Sequence, residues 1–185
     1  IRENPWATFV SHTSNGLIAS HYPILLDEAA EEIVILSHFG KPDDRLHELG
    51  EHEMLVIVQG PHGYISPSWH ANGDFIPTWN HATAHLYGRP EVVPFEENFA
   101  VLNRLVDHFE SGVAHPKSLS QDEEYARKVA TGTAGLRMTV TRFDARLKLS
   151  QNKNSEVGER ITHELETNDT YAQPALAREM RLVRE

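Results

Sequence analysis

The chain has 185 residues, no cysteine and a formal net charge of −10. At roughly 150 residues per domain, one domain with its own core is expected. Disulfides, thiolate metal sites and a cysteine nucleophile are excluded, and the acidic balance argues against non-specific nucleic-acid binding, which depends on Lys and Arg neutralising phosphates.

The apolar runs, such as Met54-Leu55-Val56-Ile57-Val58, are far too short to span a membrane. Ile1-Arg2-Glu3-Asn4 is not a signal peptide. The first residue is not Met, so the native N-terminus is expected upstream. The expected setting is cytoplasmic.

In chain order, Trp6-Ala7-Thr8-Phe9-Val10 is aromatic and β-branched and predicts a strand. The Ser14-Asn15-Gly16 turn predicts a hairpin into a second strand over 17–26. Residues 33–37 and 54–59 are apolar enough for central strands. Between them, the charged segment 41–53 predicts one or two helical turns carrying Leu46 and Leu49. Strands are expected again over 75–87 and 89–93, interrupted at Gly88 and Pro90.

The period then changes. Phe95, Phe99, Leu102, Val106 and Phe109 recur at helical spacing. Ser120-Gln121-Asp122-Glu123 has the form of a capping box before a short helix. Leu136, Met138 and Val140 alternate with Arg137, Thr139 and Thr141 as in a half-buried strand. Asp144-Ala145 predicts a turn into a last strand over 146–150, which would put Lys148 and Ser150 on one face and Leu149 inward. Two helices follow, with apolar stripes Val157/Ile161/Leu165 and Leu176/Met180/Val183.

Chemistry concentrates in residues 59–88, which hold two of the three tryptophans, two of the five tyrosines, four histidines and three prolines. Aromatic faces beside imidazoles and amides suit a planar, polar ligand, although rings filling a β core give the same composition. His81 and His85 share a strand face about 13 Å apart at ~3.3 Å per residue, too far for one metal ion. His47 and His52 sit among glutamates and are expected to be solvated. Serines are available at Ser66, Ser68 and Ser150 and histidines at His62 and His70, but no Gly-x-Ser-x-Gly elbow is present, and Ser66-Pro67-Ser68 reads as turn chemistry. Ser37-His38-Phe39-Gly40-Lys41 combines a hydroxyl, an imidazole, a glycine and an ammonium after a strand, a set able to hold an anion or to form an ordinary polar turn.

Four blocks carry a resemblance. They are Gln59-Gly60-Pro61-His62, Tyr64-Ile65-Ser66-Pro67-Ser68-Trp69, Pro77-Thr78-Trp79-Asn80 and Lys148-Leu149-Ser150-Gln151-Asn152. In this order the sequence resembles the PaiB-type transcriptional regulators. The resemblance implies a mainly β, FMN-binding split β-barrel with peripheral helices (α+β), from a bacterial, cytoplasmic homodimer whose flavin sites lie where two barrels meet. It implies a barrel over residues 1–152, with a helical insertion at about 95–130, and a C-terminal helical extension over 153–185. It implies a role in negative regulation of transcription.

On that resemblance the cofactor-binding residues expected are Ser37, His38, Lys41, Gln59, Trp69, Trp79, Asn80, Lys148, Ser150 and Gln151. Trp69 and Trp79 would stack on the isoalloxazine, Gln59 and Asn80 would bond its pyrimidine edge, and Lys148, Ser150 and the 37–41 loop would take the phosphate. The local match of that loop is weaker, because Lys41-Pro42 stands where the family carries Asn-Pro. No catalytic residue and no metal ligand is assigned. DNA contact is implied by resemblance alone, since no helix-turn-helix with a basic recognition helix is visible. A flavin-dependent oxidoreductase, or a haem protein using His62, His70 or His81, are the alternatives on the same barrel.

Overall fold

The computed structural model describes residues 1–70 and 75–184. Part of the motif-rich stretch, residues 71–74, lies outside them. The fold is mainly antiparallel β with peripheral helices. One sheet is ordered β2-β1-β5-β6-β9 and the other β3-β4-β8-β7. Their strands are β1 Trp6–Thr13, β2 Gly16–Pro23, β3 Leu25–Leu26, β4 Val34–Gly40, β5 Met54–Ile65, β6 Thr78–Gly88, β7 Glu91–Val92, β8 Thr133–Thr139 and β9 Arg142–Lys148. The helices are α1 Asp43–Leu46, α2 Phe95–Glu110, α3 Glu123–Ala130, α4 Ser155–Thr167 and α5 Pro174–Leu182. None of them is long and apolar enough to cross a membrane.

The chain divides into two compact units, Ile1–Val58 with His85–Asp144, and Gln59–Ala84 with Ala145–Glu185. In the first, β1 and β2 pair antiparallel from Trp6↔Pro23 to Thr13↔Gly16. The predicted turn closes this hairpin. Gly16 sits at φ +105°, which a Cβ would oppose, and Thr13 Oγ1 accepts from Asn15 N and donates to Gly16 O. Alternation buries Ala7, Phe9 and Ser11 on one face of β1. Phe9 meets Phe39 edge-on at 5.1 Å, and Phe39 stacks on Tyr22 at 4.5 Å.

The other face of β4 presents Val34 and Leu36 to Val101 and Leu105 of α2. Gly135 of β8 lets α2 approach, since a Cβ there would lie 2.6 Å from Asn98 Oδ1. In the second unit Ile65, Leu149, Val157, Ile161, Leu165, Leu176 and Met180 form one core. Both predicted stripes of α4 and α5 are therefore buried, except that Val183 is exposed.

Several predicted boundaries are corrected. β5 runs to Ile65 rather than stopping at Gln59. The last strand starts at Arg142 and ends at Lys148, so Asp144-Ala145 is strand and not turn. Most of β9 is exposed on both faces, which leaves no alternation to mark it. Ser120 does not cap α3: Asp122 does, its carboxylate accepting from Tyr125 N at 3.1 Å. Ser118 instead caps a one-turn 3-10 helix, Leu119–Asp122. The α2 stripe is rotated by one position. Asn98, Val101 and Leu105 are buried with Phe99, while Leu102 and Val106 are only half-buried and Phe95 and Phe109 are exposed.

Candidate functional site

The predicted ligand residues fall in both units. Gln59, Trp69, Trp79, Asn80, Lys148, Ser150 and Gln151 belong to the second, and Ser37, His38 and Lys41 to the first.

In the second unit, Trp79 stands on β6 with its indole 57% exposed, an unusual place for the largest side chain. His62 lies nearly parallel to it, 6.5 Å away at 27°, and Tyr64 meets it edge-on at 6.1 Å. His62 Nδ1 is 3.1 Å from Gly60 O and 3.3 Å from the Gln59 amide, so the exposed Gln59 is held next to the rings. Tyr171, in the link between α4 and α5, contacts Tyr64 at 5.2 Å and Trp69 at 6.5 Å. Nothing in its own neighbourhood in the sequence signalled Tyr171. The alternation of β5, which sets His62 and Tyr64 on one face, could have signalled its partners.

Beneath this aromatic group lies a polar brace. Asn80 is wholly buried, and its amide nitrogen donates to Ser150 Oγ at 2.9 Å. Ser150 is not on a strand face with Lys148, as the spacing predicted. It lies beyond the end of β9 at φ +57°, and its side chain turns inward to Asn80. A non-glycine residue in this region costs on the order of 1 kcal/mol, so the Asn80 bond and the donation from Arg184 to Ser150 O help to hold the corner. Gln151 is exposed, yet its amide is occupied: Oε1 accepts from Leu149 N at 2.8 Å and Nε2 donates to Leu147 O at 2.6 Å. Leu149 points inward as expected.

Lys148 is left at the surface. Its ammonium donates to Thr78 Oγ1, and no carboxylate among the described residues pairs with it. Trp69 is buried behind the 3-10 turn Pro67–Trp69, which Ser66 caps. The Ser66–Ser68 hydroxyl pair at 2.7 Å belongs to that turn and to no nucleophilic site.

In the first unit, Ser37 is wholly buried and donates its hydroxyl to Pro23 O at 2.7 Å. It is not available to a phosphate in this arrangement. The Lys41 ammonium donates to Thr131 O at 2.8 Å. His38 is half-buried, its buried Nδ1 has no hydrogen-bond partner among the described residues, and burial holds its pKa below the ordinary imidazole value.

His47 is not solvated as the glutamate-rich segment suggested. It is 1% exposed, with Nδ1 2.8 Å from Ser11 Oγ and Nε2 3.0 Å from Ser20 Oγ. The segment folds so that Phe39 covers the ring edge-on at 4.9 Å. Desolvation lowers its pKa, opposed in part by the Asp43 charge. Asp43 accepts from Tyr22 and Ser20, bonds that hold its carboxyl below the usual range. Glu48, Glu51 and His52 gather nearby with ligand atoms within 4.8 Å of one another, a mostly exposed acidic cluster.

Residues 1–142 match the family described as "Putative FMN-binding domain". The Bacillus subtilis protein named protease synthase and sporulation protein PAI 2 is 31% identical over 157 residues, covering 83% of this chain and 75% of that protein. Among solved structures, the FAD and heme binding protein of Mycobacterium smegmatis superposes with a TM-score of 0.59 at 18% identity, covering 88% of this chain and 73% of that one. The flavocytochrome Anf3 of Azotobacter vinelandii superposes with a TM-score of 0.55 at 14% identity, covering 78% of this chain and 62% of that one. The structural likenesses show a shared fold, the split barrel of flavin-binding proteins. The family match and the Bacillus relative go further: the chain belongs to the PaiB-type FMN-binding domain family.

Proposed function

We propose that this chain is a cytoplasmic, homodimeric FMN-binding protein with a PaiB-like role in negative regulation of transcription. The observation that carries the flavin reading is an exposed Trp79 face on the same unit as an exposed Gln59 amide, held beside the rings by His62, and a Lys148 ammonium that no carboxylate among the described residues neutralises. A flavin nucleotide needs those three things: a planar surface for the ring, a polar group for its edge and a cation for its phosphate. In this reading Trp79 and Gln59 bind the ring and Lys148 the phosphate. Asn80, Ser150, Trp69 and Gln151 act behind them as positioning residues, because their polar atoms are engaged internally or their surfaces are buried. When bound, the flavin supplies one- and two-electron redox chemistry. The protein holds the ring, orients its edge and neutralises the phosphate.

The regulatory part rests on family membership and on the Bacillus relative, whose name ties it to sporulation. A second reading, a flavin-dependent oxidoreductase or haem protein, is favoured by the names of the structural neighbours. The test is titration of the purified protein with FMN, followed by tryptophan fluorescence, for wild type and Trp79→Ala. Saturable quenching that the substitution weakens supports the site. Quenching of equal strength in both proteins would remove Trp79 from it.

A further inference from the structure

A cavity in the first unit is not used by the flavin reading. It measures about 460 Å³ and lies among α2, the turn Leu119–Asp122, α3 and the strands β4 and β8. That is within the roughly 300–1,000 Å³ typical of small-molecule sites. Its walls are apolar, from Leu102, Val106, Leu119, Ala126 and Val129.

Two observations distinguish it from a packing defect. The first is the rotated stripe of α2. Val101 and Leu105 fill the core, and the next apolar pair, Leu102 and Val106, is left to the cavity. On α3, Tyr125 and Val129 also line the cavity and remain 65% and 55% exposed. Apolar surface left wet in this way is costly, and a ligand would cover it.

The second is the state of the polar groups in the wall. Thr133 donates to Ala130 O and accepts from Asn98, Asp122 caps α3, and Ser118 is paired with Ser120. His38 is left with its buried Nδ1 unpartnered among the described residues, and the Gln121 amide and the Tyr125 hydroxyl complete the polar lining. Among the described residues no Lys or Arg lines the cavity, and the one formally charged lining residue is Asp122. An anion would meet desolvation and a carboxylate with no compensating cation.

We propose that this cavity binds a neutral, mainly apolar small molecule, an aromatic or alicyclic compound whose single hydroxyl, carbonyl or N–H group hydrogen-bonds to His38. The imidazole is kept neutral by burial, so it offers a donor or an acceptor without demanding a counter-charge. The site is distinct from that of the flavin, whose phosphate the lining disfavours.

The test uses a matched pair of fluorescent probes, N-phenyl-1-naphthylamine, which is neutral, and its sulfonated counterpart 1-anilinonaphthalene-8-sulfonate. The neutral probe is expected to bind saturably, one per chain, at least roughly tenfold more tightly than the sulfonate. His38→Leu should weaken the neutral probe about two- to tenfold, the worth of one uncharged hydrogen bond. Ala126→Trp should fill the cavity and abolish binding. Val129→Trp, at a more exposed position, is the second cavity-filling variant should the first fail to fold as judged by circular dichroism. FMN should not displace the probe. Equal probe binding by wild type and the filled variants, tighter binding of the sulfonate, or displacement by FMN would each overturn the proposal.

Discussion

Replacing Lys148 by alanine separates the phosphate of FMN from its ring. Lys148 ends β9, and its exposed ammonium is anchored on Thr78 without a neutralising carboxylate among the described residues. A charge-assisted hydrogen bond to a phosphate is worth about 1.5–3 kcal/mol. The loss of affinity for FMN should therefore be roughly 10- to 150-fold, at 1.4 kcal/mol per tenfold. The lower end is expected at physiological salt, because an exposed cation is screened within a Debye length of about 8 Å. Riboflavin has the same ring and no phosphate, and should lose little. The assay is a pair of fluorescence titrations, FMN and riboflavin, on wild type and Lys148→Ala at two salt concentrations. Equal losses for the two ligands, or none for FMN, would refute the assignment of Lys148 to the phosphate.

Other expectations follow from the same contacts. Asn80→Ala leaves the buried Ser150 hydroxyl without its partner, at a cost of about 1–3 kcal/mol. The urea midpoint should fall by about 0.5–1.5 M at an m-value of ~2 kcal/mol/M, and an unchanged midpoint would mean that the brace contributes nothing. His47 has a folded pKa below its unfolded one, so the unfolded chain binds the extra proton first as pH falls. Stability should be level above the unfolded value of ~6.5 and decline from there down to the lowered folded value. Thermal melts between pH 7 and pH 5 (about one and a half units below the unfolded value) should show that decline, and His47→Gln should reduce it, leaving the part that the buried His38 contributes with the same sign. Melting temperatures that do not move for wild type would contradict the buried, neutral imidazole. Sedimentation should give a species of twice the 20.9 kDa chain mass, and a monomer at micromolar concentration would remove the homodimer.

Much of the fold was legible because local chemistry and tertiary burial agree there. The Ser14-Asn15-Gly16 turn requires a positive φ, and it closes the hairpin where expected. The stripes of α4 and α5 mark their buried faces. β9 was misplaced because exposed edge residues such as Phe143 and Leu147 carry no burial period. The candidate site was legible in residue type and less so in role. Asn80 and Ser150 were expected at a ligand, but their side chains bond to each other 70 residues apart in sequence, a pairing that no local pattern encodes. Tyr171 joins the aromatic group only through the packing of α4 and α5, and His47 is buried only because the 41–53 segment folds back over Phe39.

Everything proposed for Trp79, Gln59 and Lys148 requires that the chain bind a flavin nucleotide through the second unit. Equilibrium dialysis of the purified protein against FMN, with the visible absorbance of the retained flavin as readout, tests it most directly. One FMN should be retained per chain, with Trp79→Ala and Lys148→Ala each retaining less. No retained flavin at any concentration would contradict it and leave the Trp79 surface as a site of protein packing.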